Sequence, residues 1–266
     1  MNVTVADVCR LLEERLAPLC LQESYDNAGL QLGDPSMSVS GILVCLDVSE
    51  AVLDEARETG CNMVVSHHPL LFSPLRHITG RTAVERCVAQ ALRQGIAVYS
   101  GHTNVDSVRQ GVSGKMCEKL GLQHLELLVP SAQAPEGWSA GLGMVGELPA
   151  PMSETDFLGL VGQTFGCRSL RYSALTGRPV GRVALCGGAG GSFLEEAVQA
   201  GADVYVTADL KYHDFSRPDG RLLLVDAGHY ETEQFTKELF FDVLSKNIST
   251  FAVRISGRET NPVNYL

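Results

Sequence analysis

Histidine placement is the most informative chemistry in this chain. Five of the seven histidines fall in polar, turn-flanked stretches at the ends of apolar runs: His67 and His68 in SHHPL, His102 in GHTNVD, His213 in KYHD and His229 in GHYETE. Ligands of open α/β sheets bind beyond the carboxyl ends of the strands. One crevice can therefore collect these imidazoles together with Asp106 and Glu233, the acids that close two Gly-His-x-x-x-acid motifs. Neutral imidazole and carboxylate without thiolate is a donor set for divalent metal, and it admits Zn, Fe, Mn, Co or Ni. Neighbouring side chains of a strand point to opposite faces, but Pro69 ends the strand, so His67 and His68 diverge only slightly. That divergence suits two neighbouring ions, one per imidazole, with Asp106 and Glu233 able to bridge them. In each motif the glycine allows close backbone approach, and the i, i+4 spacing puts imidazole and acid on one face if the turn is helical.

Each residue alone has a plainer reading. A His pair before proline can be a solvated loop, His102 and His229 can cap helices, and Asp106 and Glu233 can be first-turn acids favoured by the helix dipole. Their joint occurrence, in matching order, favours metal. Because the His pair exists only in the first half, the site cannot be symmetric. His229 is expected to ligate, and His102 is expected to sit just outside the ligands and orient Asp106. His213 follows Asp209 by four residues in TADLKYHD and is expected in the pocket; His213, Asp209 and Glu231 are the nominees for carrying a proton. His77 and His124 have no such context and are expected at the surface. GGAGGS at 187–192 lacks the GK[ST] ending of a phosphate loop and the GxGxxG spacing, so it reads as a tight turn that lets the halves pack. Ser66 beside His67 lacks the GxSxG setting of a nucleophile.

The elements that must position these residues follow from periodicity. Val8, Leu11, Leu12 and Leu16 lie at helical spacing in a helix from Val5 to Leu16, capped by Thr4 or Asp7. SYDNAGLQLGD reads as a turn-rich loop. GILVCLD is a buried strand, Ser49 starts a helix that stops at Thr59 and Gly60, and CNMVVSHH is a second buried strand. The segment RVALCGGAGGSFLEEAVQAGADVYVTAD repeats this unit at an offset of 141, placing Cys186 on Cys45, Gly201 on Gly60 and Thr207 on Ser66. Each half then reaches another apolar strand, IAVYS or LLLVD, followed by its Gly-His motif. These patterns predict an α/β protein of two related lobes, with mixed, largely parallel sheets and the metal site in the cleft between them. Residues 128–150, rich in Gly and Pro, mark the boundary. The expected lobes are 1–127 with 234–266, and 128–233. ETDFLGLVGQTFG is helical, and the chain returns to sheet near Gly181.

Bulk properties narrow the class. The chain has 266 residues with 21 Lys+Arg against 31 Asp+Glu, a net charge of −10. Without a basic run, broad binding to nucleic acid is not expected. Eight scattered cysteines without a CxxC pair read as reduced core thiols. The absence of a long apolar run and of a signal-like start predicts a cytoplasmic protein. Two divalent ions against two carboxylates leave a local charge of roughly +2, so the substrate class that fits is anionic and nucleotide-like.

The segments DNAGLQLGD, SHHPLLF, GHTNVD, GGAGGS, TADLKYHD and DAGHYETE, in this order, resemble the family of NGG-interacting-factor-three-like dinuclear-metal hexameric proteins, also labelled GTP cyclohydrolase type-two homologues. The resemblance runs from about Asp26 to Glu233. It implies metal ligands at His67, His68, Asp106, His229 and Glu233, two ions per chain, and a toroidal homohexamer whose metal sites face an internal cavity. Relatives often carry TGD where this chain has TAD, with Ala208 in place of Gly. Longer relatives have a domain inserted between the halves, and this chain resembles the short form. The resemblance implies either a metal-dependent, GTP cyclohydrolase-like hydrolase or, as the other class, a non-catalytic metal-handling or regulatory adaptor protein.

Overall fold

The computed structural model describes residues 3–132 and 134–266; Met1 and Asn2 of the opening segment and Gln133 within 128–150 lie outside them. The Thr4 side chain accepts the Asp7 N–H while Asp7 reaches back to the Thr4 N–H, a reciprocal cap that starts α1 (Val5–Arg15). There follow β1 (Gly29–Leu32), β2 (Gly41–Cys45), α2 (Glu50–Glu58), β3 (Met63–Ser66), α3 (Ala83–Gln94), β4 (Ala97–Ser100) and the short helical turn α4 (Thr103–Asp106). The chain continues with α5 (Val112–Leu120), β5 (Gln123–Pro130), β6 (Gly141–Met152), α6 (Glu154–Phe165), β7 (Arg171–Tyr172), β8 (Val180–Leu185), α7 (Leu194–Gln199), β9 (Val204–Thr207) and β10 (Leu223–Asp226). It ends with α8 (His229–Glu233), α9 (Thr236–Asn247) and β11 (Ala252–Ile255).

Two units result, Met1–Val105 with Thr236–Pro262, and Asp106–Phe235 with Val263–Leu266. The first unit holds a five-stranded sheet of order β1-β4-β3-β2-β11. β11, β2, β3 and β4 run parallel, and β1 adds antiparallel to the β4 edge. Every residue of β2, β3 and β4 is buried, as expected for central strands covered on both faces. Leu43, Val64 and Val98 pack against Val52, Leu53 and Ala56 of α2 and Val88 and Ala91 of α3.

The second unit holds a six-stranded sheet of order β5-β6-β8-β9-β10-β7. It is parallel only across β8, β9 and β10, with antiparallel strands outside them. Alternation sends Val183, Leu185, Val204 and Val206 to one face against Phe157, Val161 and Phe165 of α6. Ala184, Tyr205 and Leu224 go to the other face, against Leu194 and Ala197 of α7.

Three expectations need correction. The units part at Val105 and Asp106 rather than at 127 and 128, because β5 pairs with β6 and so belongs to the second sheet. The described part of 128–150 accordingly belongs to a hairpin within one sheet and is not a boundary between units; Pro130, Gly141, Gly143, Gly146 and Pro149 sit in its strands, and Pro135 and Gly137 in the connection. SYDNAGLQLGD contains β1, whose Gly29 pairs with Ser100. Of the eight cysteines, six are buried, Cys167 is partly buried and Cys20 is exposed.

Candidate metal centre

In the first unit the parallel ladder continues past β3: His67 N–H donates to Cys45 O (3.3 Å) and His68 N–H to Leu46 O (3.0 Å). Pro69 then ends the pairing, and the two rings stand 5.0 Å apart, tilted by 45°. His102, in the turn after β4, brings its ring within 5.4 Å of His67 and 5.6 Å of His68. One ligating atom from each of these three residues lies within 4.8 Å of the others.

Each of these imidazoles is held at Nδ1 by oxygen. His67 Nδ1 meets Gly101 O at 2.8 Å, His68 Nδ1 meets Asp47 Oδ1 at 2.9 Å, and His102 Nδ1 meets Asp26 Oδ1 at 2.7 Å. A carbonyl or ionised carboxylate oxygen can only accept, so Nδ1 carries the proton and Nε2 becomes the basic nitrogen. This is the arrangement that orients metal-binding histidines. Burial of Asp26 disfavours its charge, but hydrogen bonds from His102 and Thr103 outweigh burial and hold the carboxyl down to about 2.

The second unit repeats the device on α8. His229 Nδ1 meets Asp209 Oδ2 at 2.8 Å, and His229 Nε2 lies 2.9 Å from Glu233 Oε2, four residues on. Burial lowers the affinity of His229 for a proton, yet Glu233 and Asp209 prevail and lift its pKa to about 9. A divalent cation between Nε2 and the Glu233 carboxylate would satisfy the same two atoms, so the donors fit a metal. Oxygens of Asp106 and Glu233 come within 4.8 Å of each other. Both carboxylates bear on Cys186, whose thiol is pushed up to about 12, by burial first and by these charges second.

The loops serve α8 in ways not anticipated. GGAGGS packs inside its own unit: Gly188 N–H donates to Thr232 Oγ1 (3.0 Å) and Gly190 N–H to Thr207 Oγ1 (2.9 Å). Gly188 has φ +59, and a Cβ there would lie 2.1 Å from Glu233 Oε1, so only glycine leaves room for that carboxylate. Asp209 itself sits at φ 57, a left-handed conformation that Asp tolerates better than most residues. Ala208 is fully buried beside it.

The proton-carrier nominees fare differently. Asp209 is the clamp on His229. Glu231 is buried and turns its carboxylate back onto its own helix start, where a Cβ on Gly228 would lie 2.2 Å from Oε2. His213 is exposed, its ring against Tyr212 at 5.1 Å, on a short 3-10 turn between β9 and β10. His77 and His124 are exposed, as expected. Two clamps, Asp47 and Asp26, were not read from sequence. The signal for Asp47 was an acid just past the apolar run GILVCL, and for Asp26 an acid opening DNAGLQLGD.

The chain is similar to proteins across its length. It is 36% identical over 234 residues to the GTP cyclohydrolase 1 type 2 homolog of Clostridium acetobutylicum, covering 88% of this chain and 86% of that one. It is 34% identical over 254 residues to the protein of the same name from Lactococcus lactis, covering 94% and 95%. A hypothetical protein of Staphylococcus aureus superposes with a TM-score of 0.91 at 26% identity, covering 100% of both chains. The family profile described as Duf34/NIF3 (NGG1p interacting factor 3) matches residues 3–262, and the chain therefore belongs to the DUF34/NIF3 family.

Proposed function

We propose that this protein binds two divalent ions through His67, His68, Asp106, His229 and Glu233 and uses them to hydrolyse an anionic, nucleotide-like substrate. The observation that carries this reading is the common clamp on the imidazoles. His67, His68 and His229 each donate Nδ1–H to a fixed oxygen, which presents Nε2 as the ligating atom. Asp106 and Glu233 add the negative charge that a divalent pair needs. Asp106 ends the helical turn that His102 precedes. When bound, such ions acidify a water to a pKa of about 7 and polarise a phosphoryl or carbonyl oxygen. The names of the relatives make GTP the first substrate to try. A homohexamer, implied by the resemblance, is part of the proposal.

Metal analysis of protein purified without chelator tests the binding: about two ions per chain are expected, with at least one lost in His229→Ala and in Glu233→Ala. One ion or none in the unaltered protein overturns it. Incubation of the loaded protein with a nucleotide panel tests the chemistry, and turnover abolished by His229→Ala supports hydrolysis. One observation favours the second reading, a metal-handling or regulatory protein without catalysis: Asp209 and Glu231 are committed elsewhere and His213 is exposed. Two bound ions with no turnover of any nucleotide would select it.

A further inference from the structure

We propose that Glu259 is a positioning residue for the metal site, acting on His68 through the backbone of Leu46 and Asp47; the inference rests on the metal-binding reading above. β11 runs parallel to β2, with Ile255 opposite Val44, and Ser256 N–H extends the ladder to Val44 O at 2.8 Å. The chain after β11 is then tied down by Glu55, which accepts from the Ser256 hydroxyl (2.6 Å) and from the amides of Gly257 (3.0 Å) and Arg258 (3.2 Å). This anchoring delivers Glu259 to the carboxyl end of β2. Its Oε1 accepts the Leu46 N–H at 2.6 Å and the Asp47 N–H at 2.8 Å. Its Oε2 pairs with Lys237 Nζ of α9 at 2.7 Å, and the Glu259 side chain is only 3% exposed.

The two residues so held are the ones that hold His68. The Leu46 carbonyl accepts the His68 N–H and the Asp47 carboxylate accepts from His68 Nδ1. Glu259 thus fixes the peptide that carries both the backbone and the ring partner of His68. With Oε1 shared between two amides, the Asp47 backbone cannot rotate without stranding a buried donor. Lys237 balances the buried carboxylate, so the device needs no exposed charge.

The test uses the full chain in a Lys237→Met background, which leaves no unpaired buried charge when Glu259 is replaced. Glu259→Leu removes the acceptor, whereas Glu259→Gln keeps one for the two amides. Zn2+ affinity measured against a chromophoric chelator should fall about 10- to 100-fold for one equivalent in the Leu variant, the range typical of losing an outer partner of a metal ligand. The Gln variant, with neither buried charge, should stay close to the unaltered protein. Asp47→Ala should cause a similar loss, and combining it with Glu259→Leu should add nothing, since both act on one link. In metal-free protein, imidazole 15N spectra should show His68 as the Nδ1–H tautomer with Gln and a mixture with Leu. This readout stands even if the unaltered protein holds no metal, an outcome that would sink the binding reading by itself. If Glu259→Leu does not fold, Glu259→Met, which also lacks an acceptor, replaces it in the same background and in the same cycle with Asp47→Ala. Additive losses, or a folded Leu variant with unchanged affinity and tautomer, would overturn the proposal.

Discussion

Replacing Gly188 by alanine isolates the link between the GGAGGS turn and the proposed ligand Glu233. Gly188 and Gly201 both sit in the left-handed region, at φ +59 and φ +71, and so incur the same backbone strain on gaining a side chain, about 1–2 kcal/mol. They differ in what the new Cβ meets. At Gly201 nothing lies within 4 Å, whereas at Gly188 the Cβ would be 2.1 Å from Glu233 Oε1. Ordinary contact begins near 3.4 Å, so the carboxylate must retreat by 3.4 − 2.1 = 1.3 Å. Metal–oxygen bonds tolerate only about 0.2 Å of error, and a shift several times larger withdraws the ligand. Gly188→Ala and Gly201→Ala should therefore lose comparable stability in urea unfolding, with Gly188→Ala somewhat worse. Only Gly188→Ala should lose metal, measured as ions per folded chain after gel filtration. Equal metal content in the two variants would refute the reasoning and remove Glu233 from the ligands.

Three further outcomes are expected. His102→Ala should retain both ions with weakened affinity if the imidazole only orients Asp106; because its ring nitrogen lies as close to His67 and His68 as a ligand would, loss of a full equivalent by metal analysis would place it among the ligands. Glu85 is held down to about 2 mainly by the backbone and hydroxyl hydrogen bonds of Thr79, with Arg81 N–H adding to them. Its folded pKa is depressed, so its contribution is complete above the unfolded value of about 4.3 and is lost as pH falls towards 2. Glu85→Gln should flatten the acid limb of urea midpoints between pH 5 and pH 3, and an unchanged limb would reject this. Sedimentation at micromolar concentration should give a hexamer, and a monomer would sink the ring.

Much of the site was legible because its chemistry is local in sequence. The His pair before Pro69 and the two Gly-His-x-x-x-acid motifs each carry donor type and spacing within a few residues, and α4 and α8 form as the i, i+4 spacing required. The central strands were legible for a related reason: burial on both faces demands unbroken apolar runs, as GILVC and LLVD show. β1 and β5 lie at sheet edges, where no such demand applies, so β1 read as a loop and the hairpin residues within 128–150 as a boundary. The clamps were out of reach for a different reason. Asp26 meets His102 across 76 residues, Asp47 meets His68 across 21, and Glu259 meets Leu46 across 213. An acid at such a distance has no periodicity to betray it. The order of residues along the chain determines which imidazoles are available and where each turn begins. Only packing of the sheets decides which oxygen reaches each Nδ1, and with it which nitrogen is left to bind.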